Sequence, residues 1–203
     1  MRLTSESLHL EDYLTELPEV NFSNTLIQQK ADELYKETDE KLAYIKKVYE
    51  FVRDEISHSW DIQSTKVTKK ASEVLREREG ICYAKSNLLA SLLRSKRIPT
   101  GFCYQRLMLF DTPEEGYCIH ALNAVYIESE DRWIRLDARG NKEGVQAEFS
   151  LQDEKLAFSV TPELGEMDYP VIYTEPNEMT MKVLDEHTDC LNMYLHFLPQ
   201  QIG

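Results

Sequence analysis

The sequence predicts an α+β domain in which helices come first and an antiparallel sheet follows. Before Pro99, apolar residues recur at three- and four-residue steps, which is the spacing of one face of a helix. After Pro99, the pattern changes to strand-like runs separated by short, turn-forming segments. Strands that follow a run of helices in this way are typical of the α+β class.

Four helices are predicted ahead of the sheet, over about residues 24–36, 39–57, 72–78 and 82–96. Thr38 or Asp39 can cap the second helix and Ser72 can cap the third, because their side-chain oxygens can accept from unpaired amides of the first turn. Gly80 can end the third helix. The fourth helix is dense enough in leucine and alanine for deep burial.

Three strands are predicted next, over residues 101–110, 117–128 and 132–137. Strands joined by such short connections are most simply antiparallel. The last part of the chain is predicted to be an irregular segment over residues 161–177, followed by two helical segments over residues 178–187 and 188–197.

The composition favours one globular domain. The 203 residues are 42% hydrophobic, which is sufficient for one substantial core. We therefore expect a single domain over residues 1–203, with a core at about 40–140 and a C-terminal extension at about 141–203 that packs on it.

Charge and hydropathy argue against nucleic acid and membranes as partners. The formal net charge is −13, so no positive surface for nucleic acid or anionic lipid is expected. The first ten residues lack the apolar stretch of a signal peptide, and no segment reaches transmembrane length. A cytoplasmic protein is expected, whose oligomeric state the sequence leaves open.

The four cysteines are expected to be free thiols. They are too few and too scattered to staple a fold that has its own core, and no CxxC pair is present. Cys103 and Cys118 lie in predicted strands and Cys190 in a predicted helix, where packing roles are expected. Cys82 differs, because it begins a helix, where unpaired amides and the helix dipole favour a thiolate.

A cysteine nucleophile needs a base, and the base needs an orienting partner. His120 lies near the start of a predicted strand, and Asp137 lies at the end of the following one. The short turn between these strands brings His120 opposite Asp137 or nearly so. Counting cannot place Cys82 beside this pair. Taken singly, Cys82 could be a small core residue and Asp137 could cap a turn.

Three blocks of the sequence carry a family resemblance. The blocks consist of Ala71–Leu75 with Gly80–Ser86, Leu92–Arg94 and Ile98-Pro99, then His120–Tyr126, then Trp133 with Leu136-Asp137. They resemble the core of the transglutaminase-like superfamily, as found in bacterial transglutaminase-like and cysteine-protease proteins, and they occur in the family's order over about residues 48–140.

The resemblance implies a papain/transglutaminase-like core with the nucleophile at a helix N-terminus packed on an antiparallel sheet. It implies that Cys82 is the nucleophile, His120 the general base and acid, and Asp137 the residue that orients the imidazole. The substrate would be a peptide or another amide-bearing molecule, and no cofactor or metal is expected. Lys96-Arg97, Leu122 and Ala138-Arg139 depart from the family pattern, which leaves the shape of the acyl-acceptor side of the cleft, and so the substrate, open.

The Cys82 backbone amide is the expected oxyanion donor. A second donor should come from upstream, where Trp60 and His58 are candidates, although ordinary loop packing would also account for both.

Two alternatives stay open. A catalytically silent module could use the same cleft to bind peptides or a partner protein. A metal site could use Cys118, His120 and Cys82, but a closed zinc site needs a fourth ligand that the sequence does not offer.

Overall fold

A computed structural model describes residues 1–38 and 40–202 of the chain. The α-helices are α1 (Thr25–Lys36), α2 (Lys41–Glu55), α3 (Ala71–Glu77), α4 (Cys82–Arg94), α5 (Glu178–Glu186) and α6 (Cys190–His196). The strands are β1 (Thr4–Ser5), β2 (Ser57–His58), β3 (Glu79–Gly80), β4 (Thr100–Met108), β5 (Tyr117–Ile127), β6 (Arg132–Leu136), β7 (Met167–Asp168) and β8 (Val171–Ile172). This arrangement confirms the predicted α+β class.

Helix α4 is the centre of the core. All of its residues are buried, including the polar side chains of Lys85, Asn87 and Arg94. Helix α2 packs beside it through the apolar stripe that the sequence predicts, with Tyr44, Ile45, Val48, Tyr49 and Val52 buried. The extension also reaches this core, because Met181 of α5 and Met193 of α6 belong to the same apolar cluster.

The main sheet has the strand order β6-β5-β4-β7, and each neighbouring pair is antiparallel. Because side chains alternate between the two faces of a strand, β5 contributes to two clusters. Ile119, Ala121 and Val125 pack in the core that contains α4. Leu122 and Ala124 pack in a second cluster with Tyr13, Cys103 and Ile172.

Two short parallel pairs join distant segments. Strand β1 pairs with β8 and so joins the N-terminal segment to the C-terminal extension. Strand β2 pairs with β3 in a register that sets His58 opposite Gly80. This second pair positions the segment after α2 beside the start of α4.

The predicted capping residues differ from those observed. Ser72 does not cap α3; it lies inside the first turn and accepts a hydrogen bond from Asn21, while the Glu73 carboxylate accepts from the Lys70 N–H. Thr38 bonds to the Tyr35 carbonyl at the end of α1 rather than capping α2. Asp39, the other candidate, lies outside the described residues.

The end of α3 also differs from the prediction. The residue that leaves the helix is Arg78, which adopts a left-handed conformation with φ 60°. Gly80 instead belongs to β3. A Cβ atom there would lie 3.0 Å from both Ala84 and Thr68, so Gly80 permits the close approach of β3 to α4.

None of the described helices is both long enough and apolar enough to cross a bilayer.

Candidate active site

Cys82 is the first residue of α4 and is 7% exposed. The preceding residue, Ile81, is extended, so the chain turns from β3 directly into the helix. The first amides of a helix have no intrahelical acceptor, and they carry the positive end of the helix dipole. Cys82 therefore lies where a negative charge on its side chain or on a nearby ligand atom is stabilised.

His120 and Asp137 form a buried hydrogen-bonded pair. The His120 Nε2 atom lies 2.8 Å from the Asp137 Oδ2 atom. Asp137 also accepts hydrogen bonds from the backbone amides of Arg139 at 3.1 Å and Ala157 at 3.0 Å. These three contacts hold the carboxylate in one orientation, and the carboxylate in turn holds the imidazole.

The pKa values of the pair move in opposite directions. Burial alone would lower the pKa of His120, but the Asp137 carboxylate and a hydrogen bond with the Cys82 thiol raise it above its ordinary value. Burial would likewise raise the pKa of Asp137, but His120 and the two backbone amides hold it lower. The pair therefore favours an imidazolium beside a carboxylate.

The sheet register explains how the pair meets. Strand β6 pairs Leu136 with Asn123 of β5, so the next residue, Asp137, continues the register opposite Leu122. His120 lies two residues before Leu122 in β5, so the side chains of His120 and Asp137 meet as diagonal neighbours. Long side chains bridge such diagonals in antiparallel sheets.

A cavity of about 420 Å³ opens beside Cys82 and His120. The C-terminal extension supplies part of its wall, and the sequence did not predict a cavity role for any of these residues. They are Lys142, Gly144, Val145, Ala157, Phe158, Ser159, Glu166, Tyr194 and Leu198. They lack a common motif, because the chain reaches the cavity from several irregular segments and from α6.

His58 and Trp60 both line this cavity. His58 is 5% exposed, and its Nδ1 atom has no hydrogen-bond partner among the described residues. Burial, and then the positive charge of Arg139, lower the pKa of His58 well below its ordinary value, so the ring is neutral at neutral pH. Trp60 instead stacks on Tyr194, with the ring centroids 4.6 Å apart.

Arg139 is a site residue that the sequence suggested only as a departure from the family pattern. It is buried, lines the cavity and makes a bidentate ion pair with Asp61, with distances of 2.5 Å and 2.8 Å. Burial would raise the pKa of Asp61, but hydrogen bonds from Arg139 and Lys142 lower it to about 2. This ion pair links the segment after β2 to the segment after β6.

The other cysteines have different surroundings. Burial raises the pKa of Cys103 and of Cys118 to about 12, and that of Cys190 to about 11. All four cysteines are free thiols, and Cys118 also lines the cavity. Within residues 1–38 and 40–202, no three side chains of His, Cys, Asp or Glu lie close enough together to hold a metal ion.

Comparisons with known proteins identify the fold. The model of the Transglutaminase-like superfamily matches residues 28–138, which is more than half of the chain. A protein from Cytophaga hutchinsonii described as a candidate cysteine protease is 18% identical with a TM-score of 0.53, and the match covers 66% of this chain and 43% of that one. The periplasmic domain of TgpA from Pseudomonas aeruginosa is 19% identical with a TM-score of 0.47, covering 65% and 48% respectively.

The chain thus spans less than half the length of these two solved structures. No curated protein matches the sequence.

Proposed function

Because this chain belongs to the transglutaminase-like superfamily, we propose that it is a cysteine-nucleophile enzyme that cleaves or transfers an amide through Cys82, His120 and Asp137. The observation that carries the proposal is the buried His120–Asp137 hydrogen bond, whose imidazole lines the same cavity as the Cys82 thiol at the start of α4. A nucleophile, a base and a group that orients the base are the minimum set for such chemistry.

The geometry supports the following sequence of steps. His120 holds the proton of the Cys82 thiol as an imidazolium, and the thiolate attacks the amide carbonyl carbon. His120 then gives the proton to the leaving amine, and the C–N bond breaks to leave a thioester on Cys82. Water or a second amine then attacks the thioester and gives a proton to His120, the C–S bond breaks to release a carboxylic acid or a new amide, and the proton is shared again between His120 and the Cys82 sulfur. Asp137 stays ionised throughout and stabilises the imidazolium.

The tetrahedral intermediate needs donors for its oxyanion. The Cys82 backbone amide is the first of these. Of the two candidates for the second, His58 is favoured over Trp60, because its buried ring is neutral, lines the cavity and has one nitrogen without a partner among the described residues. The β2–β3 register holds it opposite Gly80, two residues before the nucleophile.

The pH dependence of Cys82 alkylation tests the proposal. Iodoacetamide is added to the wild type, to His120→Ala and to Asp137→Ala at several pH values, and the modified cysteines are identified by peptide mass spectrometry. We expect Cys82 to react at pH 6 to 7 and to lose about tenfold or more of its rate when His120 is removed. Cys103, Cys118 and Cys190 serve as internal controls, because burial raises the pKa of each of them.

The same experiment separates the enzyme from the silent binding module. If Cys82 reacts as slowly as the other three cysteines, and neither substitution changes its rate, the triad is not coupled and the binding module becomes the better interpretation. Elemental analysis of the dialysed protein tests the metal alternative, which stoichiometric zinc would support.

A further inference from the structure

Three aromatic rings meet at the cavity beside Cys82, and the proposed chemistry uses none of them directly. Trp60 follows β2, Phe110 follows β4 and Tyr194 lies in α6. Trp60 stacks on Tyr194 at 4.6 Å, and the Phe110 ring lies 5.5 Å from Trp60 and 6.4 Å from Tyr194. We call these three residues the aromatic wall.

Packing in the hydrophobic core does not by itself account for the conformation and exposure of Phe110 in the aromatic wall. Phe110 has φ 55° and ψ 31°, a left-handed conformation that costs a residue with a Cβ about 1–2 kcal/mol. Its ring is nevertheless 43% exposed. Strained backbone conformations cluster at active sites and ligand clamps, and exposed apolar surface marks ligand-binding grooves, so an exposed ring on a strained residue at this cavity is a candidate ligand contact.

The charged groups around the cavity are already engaged. Arg139 and Lys142 both bind Asp61. The Glu166 carboxylate accepts hydrogen bonds from the amides of Met108 and Thr161. A charged side chain entering the cavity would compete with these contacts, whereas a neutral apolar one would cover the aromatic wall.

The geometry points to a subsite in which the aromatic wall receives a large apolar side chain, aromatic or branched aliphatic, next to the amide that Cys82 attacks. This inference rests on the proposed function for the position of the amide. It makes the C-terminal extension a determinant of specificity, because Tyr194 lies outside the matched family region. The cavity volume of about 420 Å³ is within the range of small-molecule sites.

Binding can be tested without any reaction by using the Cys82→Ala protein. N-acetylphenylalaninamide, N-acetylleucinamide, N-acetylglycinamide and N-acetyllysinamide are titrated, and the two tryptophan indole N–H signals are followed by NMR. Trp60 lies in the aromatic wall, and Trp133 packs against the second cluster, so it serves as an internal reference. We expect saturable shifts of Trp60 with the phenylalanine and leucine compounds, at least about tenfold weaker binding of the other two, and an unmoved Trp133.

Substitutions then test whether the amides bind at the aromatic wall. Phe110→Ala in the same background removes a half-exposed ring and should weaken binding of N-acetylphenylalaninamide by about tenfold. Leu195→Ala is the matched control, because Leu195 is 42% exposed on the same helix as Tyr194 and does not line the cavity. It should leave binding unchanged.

The failure of the subsite is distinguishable from the failure of the enzyme. Equal binding of all four amides, or no effect of Phe110→Ala on the selective binding, would overturn the subsite whatever the reactivity of Cys82. Selective binding that depends on Phe110 would support it even if Cys82 proved unreactive, and the selective cavity would then serve a binding protein.

Discussion

At the scale of single residues, Lys85 is the most unusual group near the site. It lies one helical turn after Cys82 and is 1% exposed. Its ammonium group donates to the carbonyls of Ile56 and Arg53, at the end of α2. Burial, and then the positive charge of Arg139, lower the pKa of Lys85 to about 7. A lysine in this position links the nucleophile's helix to the segment that carries His58.

The lowered pKa of Lys85 predicts how stability depends on pH. Between pH 7 and about 10.4, the unfolded lysine is protonated, but the folded one is increasingly neutral, so the unfolded state binds more protons. Lys85 therefore makes the free energy of unfolding rise with pH in this window, by up to about 1.4 kcal/mol per pH unit.

Urea denaturation of the wild type and of Lys85→Met between pH 7.5 and 9.5 measures this slope. The wild type should gain stability relative to the variant as pH rises, and Lys182→Met is the matched control, because Lys182 is exposed on α5. Parallel pH profiles for the wild type and Lys85→Met would contradict a lowered pKa.

At the scale of the elements, the periodicity of apolar residues predicts which helices and strands form better than it predicts where they begin and end. The stripe of α2, the burial of α4 and the alternation of β5 follow directly from the spacing of apolar residues, so these elements could be predicted. The cap of α3 could not, because its Ser72 is occupied by Asn21, which is 51 residues distant. A side chain can bond to a partner distant in sequence only when the fold brings the two together, so the local sequence does not show which partner it takes.

The same limit applies to the candidate site. The proximity of His120 and Asp137 could be predicted from a short hairpin, but their diagonal offset depends on the turn at Glu128–Glu130 and on the left-handed conformation of Asp131. The ion pair between Arg139 and Asp61 joins residues 78 positions apart. No local pattern encodes such a contact.

The close packing of Gly101 in β4 gives a second prediction at the scale of the elements. A Cβ atom on Gly101 would lie 2.4 Å from the Ile172 side chain and 2.9 Å from the Tyr173 backbone oxygen. Gly101→Ala should therefore push the segment around β8 away from the sheet and reduce stability by about 1–3 kcal/mol. Hydrogen exchange at the Tyr173 amide, which donates to the Phe102 carbonyl, reports the displacement.

Gly144→Ala is the control for this change. Gly144 has a φ of 77° but no atom within 4 Å of an added Cβ, so the substitution strains only its own backbone. Exchange at Tyr173 should accelerate in Gly101→Ala and stay unchanged in Gly144→Ala. Unchanged protection in both would show that the strand tolerates the added methyl group.

At the scale of the whole molecule, Arg94 holds together segments that are distant in sequence. From the end of α4, its guanidinium donates to the carbonyls of Thr15, Thr100 and Thr174. These acceptors lie in the N-terminal segment, at the start of β4 and just after β8. Burial lowers the pKa of Arg94 to about 10, so the side chain stays charged at neutral pH.

Arg94→Met should separate the N-terminal segment and the segment after β8 from the core. The methionine fills similar space but leaves three carbonyls without their donor, which should cost about 2–4 kcal/mol in the free energy of unfolding. Arg97→Met is the control, because Arg97 makes only an exposed ion pair with Glu11 and should cost less than about 1 kcal/mol.

Hydrogen exchange separates a general loss of stability from the loss of this junction. The amides of Thr4 and Glu6 donate to the carbonyls of Pro170 and Ile172, so they report the pairing of β1 with β8. In Arg94→Met they should exchange faster even under conditions where α4 remains protected. The prediction is contradicted if Arg94→Met lowers the free energy of unfolding no more than Arg97→Met does, or if these amides stay protected. The β1–β8 pair would then form without the guanidinium.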